Sequence, residues 1–170
     1  INHAADGYQL NLNNGDQIVA DLVLSAVGLR AQTGLAIAAG LETNRGIVCN
    51  SMLQTSDKSI FALGDCAEIN GYNLPFIMPI MHGARALAKT LSGTPTEVSY
   101  PAMPVAIKTP ACPLVVATPA GEVVDSDIEQ LHDGVKVIQR NADGDTIGFV
   151  LAGSALSEKQ TLIRQMPKLF

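Results

Sequence analysis

The chain has 170 residues, of which 47% are hydrophobic and 16% charged, and its formal net charge is -5 at pH 7. A chain of this length buries roughly 70% of its unfolded surface, which is enough for one good core or two small ones. The negative charge and the lack of Lys/Arg runs argue against nucleic acid as a partner. No apolar run is long enough to span a bilayer, and the first residues lack the form of a signal peptide. We therefore expect a soluble, cytoplasmic protein with no membrane segment.

The cysteines and histidines predict neither a disulfide framework nor a metal site. Cys49, Cys66 and Cys112 are far apart and odd in number, so no Cys-x-x-Cys redox pair is available. Unpaired thiols indicate a reducing compartment. The three histidines have no metal-ligand spacing among themselves or with the cysteines. We expect each cysteine to be a small packing residue.

The first part of the chain predicts a hairpin and then a buried strand. Alternating runs at 8–12 and 17–20 flank an Asn-Asn-Gly-Asp turn, which is typical of a β-hairpin. The apolar run from 21 to 28 predicts a buried strand that ends in glycine. Further on, 33–39 predicts a short helix closed by Gly40, and 47–49 a brief strand.

The segment from 55 to 67, Thr-Ser-Asp-Lys-Ser-Ile-Phe-Ala-Leu-Gly-Asp-Cys-Ala, carries the strongest functional signal. Its apolar part, 60–63, predicts a short interior strand, and Gly64 follows where a ligand could approach the backbone. Asp65 would then lie at the carboxyl end of the strand, where open α/β sheets bind ligands. A carboxylate there suits the paired hydroxyls of a ribityl or ribose chain. An ordinary turn is the alternative, since Gly-Asp after an apolar strand is common.

A helix is predicted from Pro79 to Gly93. Proline is accepted in the first turn of a helix, and glycine ends one. Small residues at 83, 84, 86 and 88 would let the helix lie close against a sheet or a ligand. The expected core face consists of apolar residues at helical spacing: Ile80, Ala84, Leu87, Ala88 and Leu91.

The last third of the chain predicts a small antiparallel sheet with a C-terminal helix. A proline-containing connector, 94–104, is the preferred domain boundary. The helix is expected over 157–165, with Ser157 as its N-cap. An Asp-Gly turn joins the last two strands. The predicted strands are 105–109, 114–118, 135–140 and 146–152.

Taken in order, these segments resemble the last part of a pyridine-nucleotide-dependent FAD oxidoreductase. The long motifs that most resemble bacterial rubredoxin–NAD reductases lie at 44–48, 62–68 and 103–116. The resemblance implies an α/β plus α+β fold, the C-terminal part of a two-dinucleotide-domain flavoprotein. It also implies three parts: the end of an NAD(P)H-binding domain (1–30), the second half of an FAD-binding domain (31–95) and a C-terminal interface domain (96–170).

The same resemblance implies cofactors, site residues and a partner. The parent enzyme would hold FAD, use NADH as co-substrate and pass electrons to rubredoxin or a similar small iron carrier. In the family, residues matching Asp65, Ile77 and Lys108 contact FAD, with Ile77 in a loop before the helix. Lys108 also lies in a predicted apolar strand, where a lysine is unusual unless it has a specific role. We expect no catalytic acid or base and no bound metal.

Two departures limit the resemblance. Leu29-Arg-Ala-Gln-Thr33 stands where many relatives carry Pro-Asn, and neither copy of the Gly-x-Gly-x-x-Gly fingerprint is in the sequence. We therefore expect this chain alone to bind FAD poorly and to be inactive. The alternatives are a non-catalytic module that self-associates through its antiparallel sheet, and a sister reductase that uses ferredoxin or oxygen as acceptor.

Overall fold

A computed structural model describes residues 1–4 and 6–170. Within these residues, strands pair into three separate sheets. The strands are β1 (Asn2–Ala4), β2 (Gly7–Asn11), β3 (Gln17–Ala20), β4 (Ile47–Cys49), β5 (Ala67–Ile69), β6 (Val105–Ile107), β7 (Leu114–Ala117), β8 (Asp125–Leu131), β9 (Gly134–Arg140) and β10 (Thr146–Ala152). The helices are α1 (Gly34–Ala38), α2 (Ile77–Leu91), a 3₁₀ helix (Gly153–Glu158) and α3 (Lys159–Gln165). None of the helices in the described residues is long and apolar enough to cross a membrane.

The predicted hairpin is confirmed as the pair β2–β3, and β1 pairs with the other edge of β2. All three strands are antiparallel, with Tyr8 opposite Ala20 and Asn11 opposite Gln17. Gly15 adopts a φ of 92° in the connecting turn, a conformation that favours glycine. The sheet is largely exposed, and in the described residues no strand pairs with the outer edge of β3.

The buried strand predicted over 21–28 is wrong for this structure. The segment has no strand assignment, and Leu22, Leu24 and Val27 are 79%, 85% and 93% exposed. A strand requires a neighbour for its backbone N–H and C=O groups, and no described strand pairs with this segment. The apolar sequence is therefore present, but the structure that would bury it is not in the described residues.

The middle of the chain forms a first core around the parallel pair β4–β5, in which Ile47 lies opposite Ala67. The strand predicted over 60–63 is wrong. That segment folds back locally instead, making one bridge between Phe61 and Gln54, while the Ala62 N–H donates to the Leu53 carbonyl over 3.0 Å. Buried residues of the first core are Cys49, Leu53, Ala62, Ala67, Ile69, Ala86, Val98, Tyr100 and Met103.

Helix α2 packs on this core through its smallest residues. It begins at Ile77, two residues before the predicted start, and Gly93 follows its end with a φ of 95°. Its buried residues are Pro79, Gly83 and Ala86. The expected core face is therefore partly wrong, because Ala88 and Leu91 are exposed.

Gly83 explains how α2 comes so close. A Cβ at this position would lie 2.7 Å from Leu63 Cδ1 and 3.3 Å from Leu53 Cδ2. The helix backbone thus contacts the two leucines directly. The buried face of α2 is therefore the face that carries its small residues, not the face predicted from the sequence.

The C-terminal region forms a five-stranded antiparallel sheet in the order β6-β7-β10-β9-β8. Its four predicted strands are confirmed, but β6 ends at Ile107, and the charged edge strand β8 is missing from the prediction. Ser157 lies within the 3₁₀ helix and does not cap α3. Helix α3 covers one face of the sheet. The second core consists of Val115, Ala117, Ile138, Phe149, Leu151, Ala155 and Leu162.

The end of the chain returns to the first core. The Leu169 N–H donates to the Tyr100 carbonyl over 2.8 Å, and the Tyr100 N–H donates to the Phe170 carbonyl over 3.1 Å. The Phe170 ring lies 4.8 Å from that of Tyr100 and 5.9 Å from that of Tyr72, between centroids. These contacts tie the C-terminal region to the segment that precedes its first strand.

Candidate functional site

The Gly64–Asp65 turn is held by an asparagine from a neighbouring loop. Gly64 has a φ of 94°, and no atom lies within 4 Å of where its Cβ would be, so the backbone is open to approach on this side. The Asn73 side-chain amide donates to the carbonyls of Asp65 and Ala67, each over 2.9 Å. The turn is thus fixed through its backbone, while the Asp65 carboxylate is exposed and free to accept hydrogen bonds.

Asp65 lines a cleft between the segment around Arg30 and the loop around Asn73. One part of the cleft, of about 230 Å³, includes Asp65, and an adjoining part of about 550 Å³ includes Arg45. The two parts share Leu29, Arg30, Ala31, Asn73 and Pro75, and the wider part adds Thr33, Asn44 and Arg45. A carboxylate and two guanidinium groups therefore line one continuous cleft.

The wall that carries Arg45 is organised by a buried carboxylate, Glu68, which is 4% exposed. Its two oxygens accept from the Asn44 side-chain amide and the Gly46 N–H, each over 2.9 Å. A Cβ on Gly46 would lie 2.7 Å from the Cys66 carbonyl oxygen, so only glycine allows this close approach. Because a buried carboxylate without donors is costly, these bonds fix the turn from Asn44 to Gly46.

Ile77 and Lys108 do not line this cleft. Ile77 lies in the first turn of α2, not in the preceding loop, and its side chain is 71% exposed. No side chain caps that helix end, so its first backbone N–H groups remain available. Lys108 is the residue directly after β6, and its side chain is exposed. The prediction that it lies in an apolar strand is therefore wrong.

Sequence reasoning missed four residues that shape the site: Asn73, Glu68, Arg30 and Arg45. Glu68 had a usable signal, since a charged residue within the apolar run Ala67–Ile69 requires partners when buried. Asn73 had no such signal, because its role depends on hydrogen bonds to the carbonyls of residues six and eight positions earlier in the chain. The two arginines line one cleft only in the folded chain.

Burial makes Cys49 unreactive. Desolvation raises its pKa to about 11, so the thiol is protonated at neutral pH and is a poor nucleophile. The neighbouring Tyr100 has its pKa raised to about 12, again chiefly by burial. Cys49 is a packing residue, as expected from the sequence. All three cysteines are free in the structure.

Two family descriptions divide almost the whole chain between them. "Pyridine nucleotide-disulphide oxidoreductase" matches residues 1–94, and "Rubredoxin binding C-terminal domain" matches residues 97–166. The first covers more than half of the chain.

Relatives and a solved structure agree with these matches. The chain is 48% identical to the rubredoxin-NAD(+) reductase of Alcanivorax borkumensis and 50% identical to that of Acinetobacter baylyi. These alignments cover 98% and 99% of the chain but only 44% and 43% of the relatives, so the chain spans less than half of their length. A ferredoxin reductase from Rhodopseudomonas palustris superimposes with a TM-score of 0.78 at 22% identity, covering 99% of this chain and 45% of that one.

The fold is that of the C-terminal part of a two-dinucleotide-domain oxidoreductase, ending in an antiparallel sheet with a helix, and the predicted fold class is confirmed. The chain belongs to the pyridine nucleotide-disulphide oxidoreductase family. Its resemblance to rubredoxin–NAD reductases is confirmed by the relatives and by the C-terminal domain match.

The residues present fit one part of FAD, the cofactor that this family implies. An exposed carboxylate on a fixed turn, beside an open glycine, can accept hydrogen bonds from sugar hydroxyls. The open N-terminus of α2 offers donors to an electron-rich ring edge. The phosphate-binding glycine fingerprints are not in the sequence, so these residues supply only one side of a dinucleotide site.

Proposed function

We propose that this chain is part of an FAD-dependent oxidoreductase that passes electrons from NADH to rubredoxin. The observation that carries the proposal is the order of the two domain matches, in which a pyridine nucleotide oxidoreductase region is followed directly by a rubredoxin-binding domain. When bound, FAD would supply the carrier that accepts an electron pair from the nicotinamide and releases the two electrons singly to two molecules of a one-electron acceptor.

Three residues are proposed to hold the cofactor. Asp65 would accept hydrogen bonds from its hydroxyl chain, and the first turn of α2, which includes Ile77, would contact the ring system. Lys108 would place a positive charge near the ring edge on which reduction places negative charge. We assign no residue of this chain as a catalytic acid or base, because electron transfer through a flavin needs positioning above all.

The proposed domain organisation has three parts: 1–30 ends an NAD(P)H-binding domain, 31–95 belongs to an FAD-binding domain and 96–170 forms the interface domain. The exposed apolar segment 21–28 supports it, since strands supplied by other parts of the complete enzyme would bury Leu22, Leu24 and Val27. We also propose a cytoplasmic location, for which the three free cysteines are suited.

Acceptor turnover tests the proposal. A complete reductase of the relatives' length should oxidise NADH far faster with rubredoxin than with ferredoxin or oxygen alone. Faster turnover with ferredoxin would replace the proposal by the sister-reductase alternative, to which the likeness to a ferredoxin reductase lends support.

Flavin content tests the site. Asp65→Asn in the complete enzyme should weaken FAD retention by about 1–3 kcal/mol, since buried hydroxyl donors would lose their charged acceptor. Retention of stoichiometric flavin through dialysis and gel filtration would show that Asp65 is only a turn residue. Glu122→Gln, an exposed carboxylate outside the cleft, is the control.

Self-association is the second candidate for this chain by itself. The exposed side chains of 21–28 and the open edge of β3 favour it, because both are unpaired apolar or backbone surfaces. A colourless dimer in light-scattering measurements would support this alternative for the isolated chain.

A further inference from the structure

The five-stranded sheet has a second face that the second core does not use. Side chains alternate between the two faces of a strand, and residues in register share a face. The face under α3 carries the core residues Ile138, Phe149 and Leu151. The opposite face, called the outer face below, is centred on a row of β-branched residues that crosses all five strands in register: Val105, Val116, Val150, Val137 and Ile128.

The outer face is apolar and only partly buried. The four valines of the row are each partly exposed, and Ile128 on the edge strand is 66% exposed. The next row along the strands contains Ile107, Leu114 and Val135, of which Ile107 is 44% exposed. In the part of the chain that the structure describes, none of these residues belongs to either core or packs against one. A continuous apolar face without a cover is typical of a contact surface for another molecule.

Charge on this sheet is confined to the face under α3. The charged residues of β8 and β9 all share that face: Asp125, Asp127, Glu129, Lys136 and Arg140. The polar residues that these strands place on the outer face are Ser126, Gln130 and Gln139, and β6, β7 and β10 contain no charged residue. A partner on the outer face would therefore desolvate no ion of this chain, and the matching contact surface is an uncharged one.

The size of the outer face favours a transient partner over a second copy of the chain. With strands about 4.8 Å apart and residues about 3.4 Å apart, the face measures on the order of 500 Å², so a complex would bury on the order of 1,000 Å² in total. Weak electron-transfer complexes bury less than about 1,200 Å², whereas obligate homodimers bury roughly 2,000 Å² or more. The face is thus large enough for a transient encounter and too small for an obligate dimer.

The position of the outer face in the chain indicates the partner. The face lies within residues 97–166, which match the description of a rubredoxin binding domain. Ile107 ends β6 at one corner of the face and directly precedes Lys108, the residue proposed to lie near the flavin ring. We propose that the outer face is the docking surface for a small one-electron carrier with an uncharged contact surface, here rubredoxin. The inference deepens the proposed function and rests on it for the identity of the carrier.

Nuclear magnetic resonance titration of this ¹⁵N-labelled chain tests the surface. Zinc-substituted rubredoxin is the probe, because zinc has no redox chemistry and the complex stays in one state. Amide shifts should centre on residues 107, 116, 128, 137 and 150. Because the face is uncharged, the Kd should change by less than about threefold between roughly 0.05 and 0.5 M salt. A weakening of about tenfold or more would place docking on charged groups and overturn the proposal.

Substitutions on the two faces of the sheet assign the contact. Ile107→Lys and Ile128→Lys should each weaken rubredoxin binding at least about tenfold, because the complex would desolvate an ammonium group that has no partner. Gln165→Lys adds the same charge at an exposed position of α3, on the other side of the sheet, and should retain the affinity. Ile128→Thr, which adds no charge, serves if a lysine variant loses the folded spectrum, and it should also weaken binding. Equal affinity in all variants, or no binding by the unaltered chain, would overturn the proposal.

Two further measurements separate this inference from the proposed function. Shifts at residues 116, 137 and 150 that depend on chain concentration in the absence of rubredoxin would make a second copy the occupant and overturn the proposal. Rubredoxin turnover by the complete reductase that is the same with and without Ile128→Lys would overturn the docking surface and leave the proposed function in place. No turnover with rubredoxin would overturn both.

Discussion

Strand β10 of the C-terminal sheet and the segment that follows the N-terminal hairpin have similarly apolar sequences but opposite structures. In β10, Phe149 and Leu151 are fully buried, with β7 and β9 on either side and α3 above. Residues 21–28 contain two Val and two Leu, yet Val27 is 93% exposed. The difference is the presence of neighbouring strands, which β10 finds within 40 residues along the chain and the 21–28 segment does not find.

This contrast shows that an apolar run specifies a tendency to be buried, not burial itself. A strand gains stability from cross-strand pairs and from a covered face. Where both are supplied by nearby sequence, as in β7, β9 and β10, the prediction from sequence is confirmed. Where neither is found among the described residues, the same pattern yields an exposed segment without strand pairing.

The largest expected effect tests this contrast directly. Phe149→Ala should lower the free energy of unfolding by about 3–5 kcal/mol, because it opens a cavity in a fully packed core. Val27→Ala in the exposed segment should change it by less than about 0.5 kcal/mol. Urea unfolding followed by circular dichroism measures both. Similar losses for the two variants would mean that 21–28 is buried in solution.

A second substitution tests how closely α2 packs on the first core. Gly83→Ala should destabilise the first core by about 1–3 kcal/mol, because the new Cβ would lie 2.7 Å from Leu63 Cδ1. Gly34→Ala in α1 is the matched control, since a Cβ there meets nothing within 4 Å. Thermal unfolding should show a lower transition only for Gly83→Ala. Equal melting temperatures would indicate that α2 can move away from the two leucines.

Alkaline pH should distinguish the two cores by their chemistry. The first core contains Cys49 and Tyr100, whereas the second contains no titratable residue among its buried members. Burial raises the pKa of Cys49 from 9.0 to about 11 and that of Tyr100 from 10.0 to about 12. Both raised values mean that the unfolded chain loses these protons first, so stability is full below pH 9 and falls as pH rises toward 12.

Urea unfolding at pH 7, 9.5 and 10.5 measures this fall. Cys49→Ala should have a lower stability at pH 7 but a flatter dependence above pH 9, and Tyr100→Phe should flatten it above pH 10. A wild-type stability that does not change between pH 7 and 10.5 would contradict the burial of both groups.

The smallest expected effect concerns the loop between β6 and β7. In the complete reductase, Lys108→Met should make the flavin harder to reduce, because a cation near the ring edge stabilises the reduced form. An interaction of about 1.4 kcal/mol corresponds to roughly 30 mV for a two-electron couple. Dye-coupled redox titration measures the shift, with Lys58→Met as control. An unchanged midpoint would place Lys108 in solvent, where this structure has it exposed.

Local signals predicted the elements that are stabilised locally. The Asn-Gly turn at β2–β3, the Asp-Gly turn between β9 and β10, and the glycine that follows α2 all lie where expected. The charged strand β8 was not predictable from apolar alternation, because it is an edge strand whose side chains face solvent. The start of α2 differs by two residues, since the proline marks a position in its first turn and not its first residue.

The sequence by itself determined the family, the N-terminal hairpin, helix α2, four strands of the C-terminal sheet and the position of Asp65 after a glycine, because these follow from short-range patterns. Only the tertiary structure decided that Asn73 holds that turn, that Glu68 fixes the neighbouring turn and that Arg30 and Arg45 line the same cleft. These contacts join residues that are far apart in the chain. Their geometry depends on how the backbone folds back on itself, which no local pattern encodes.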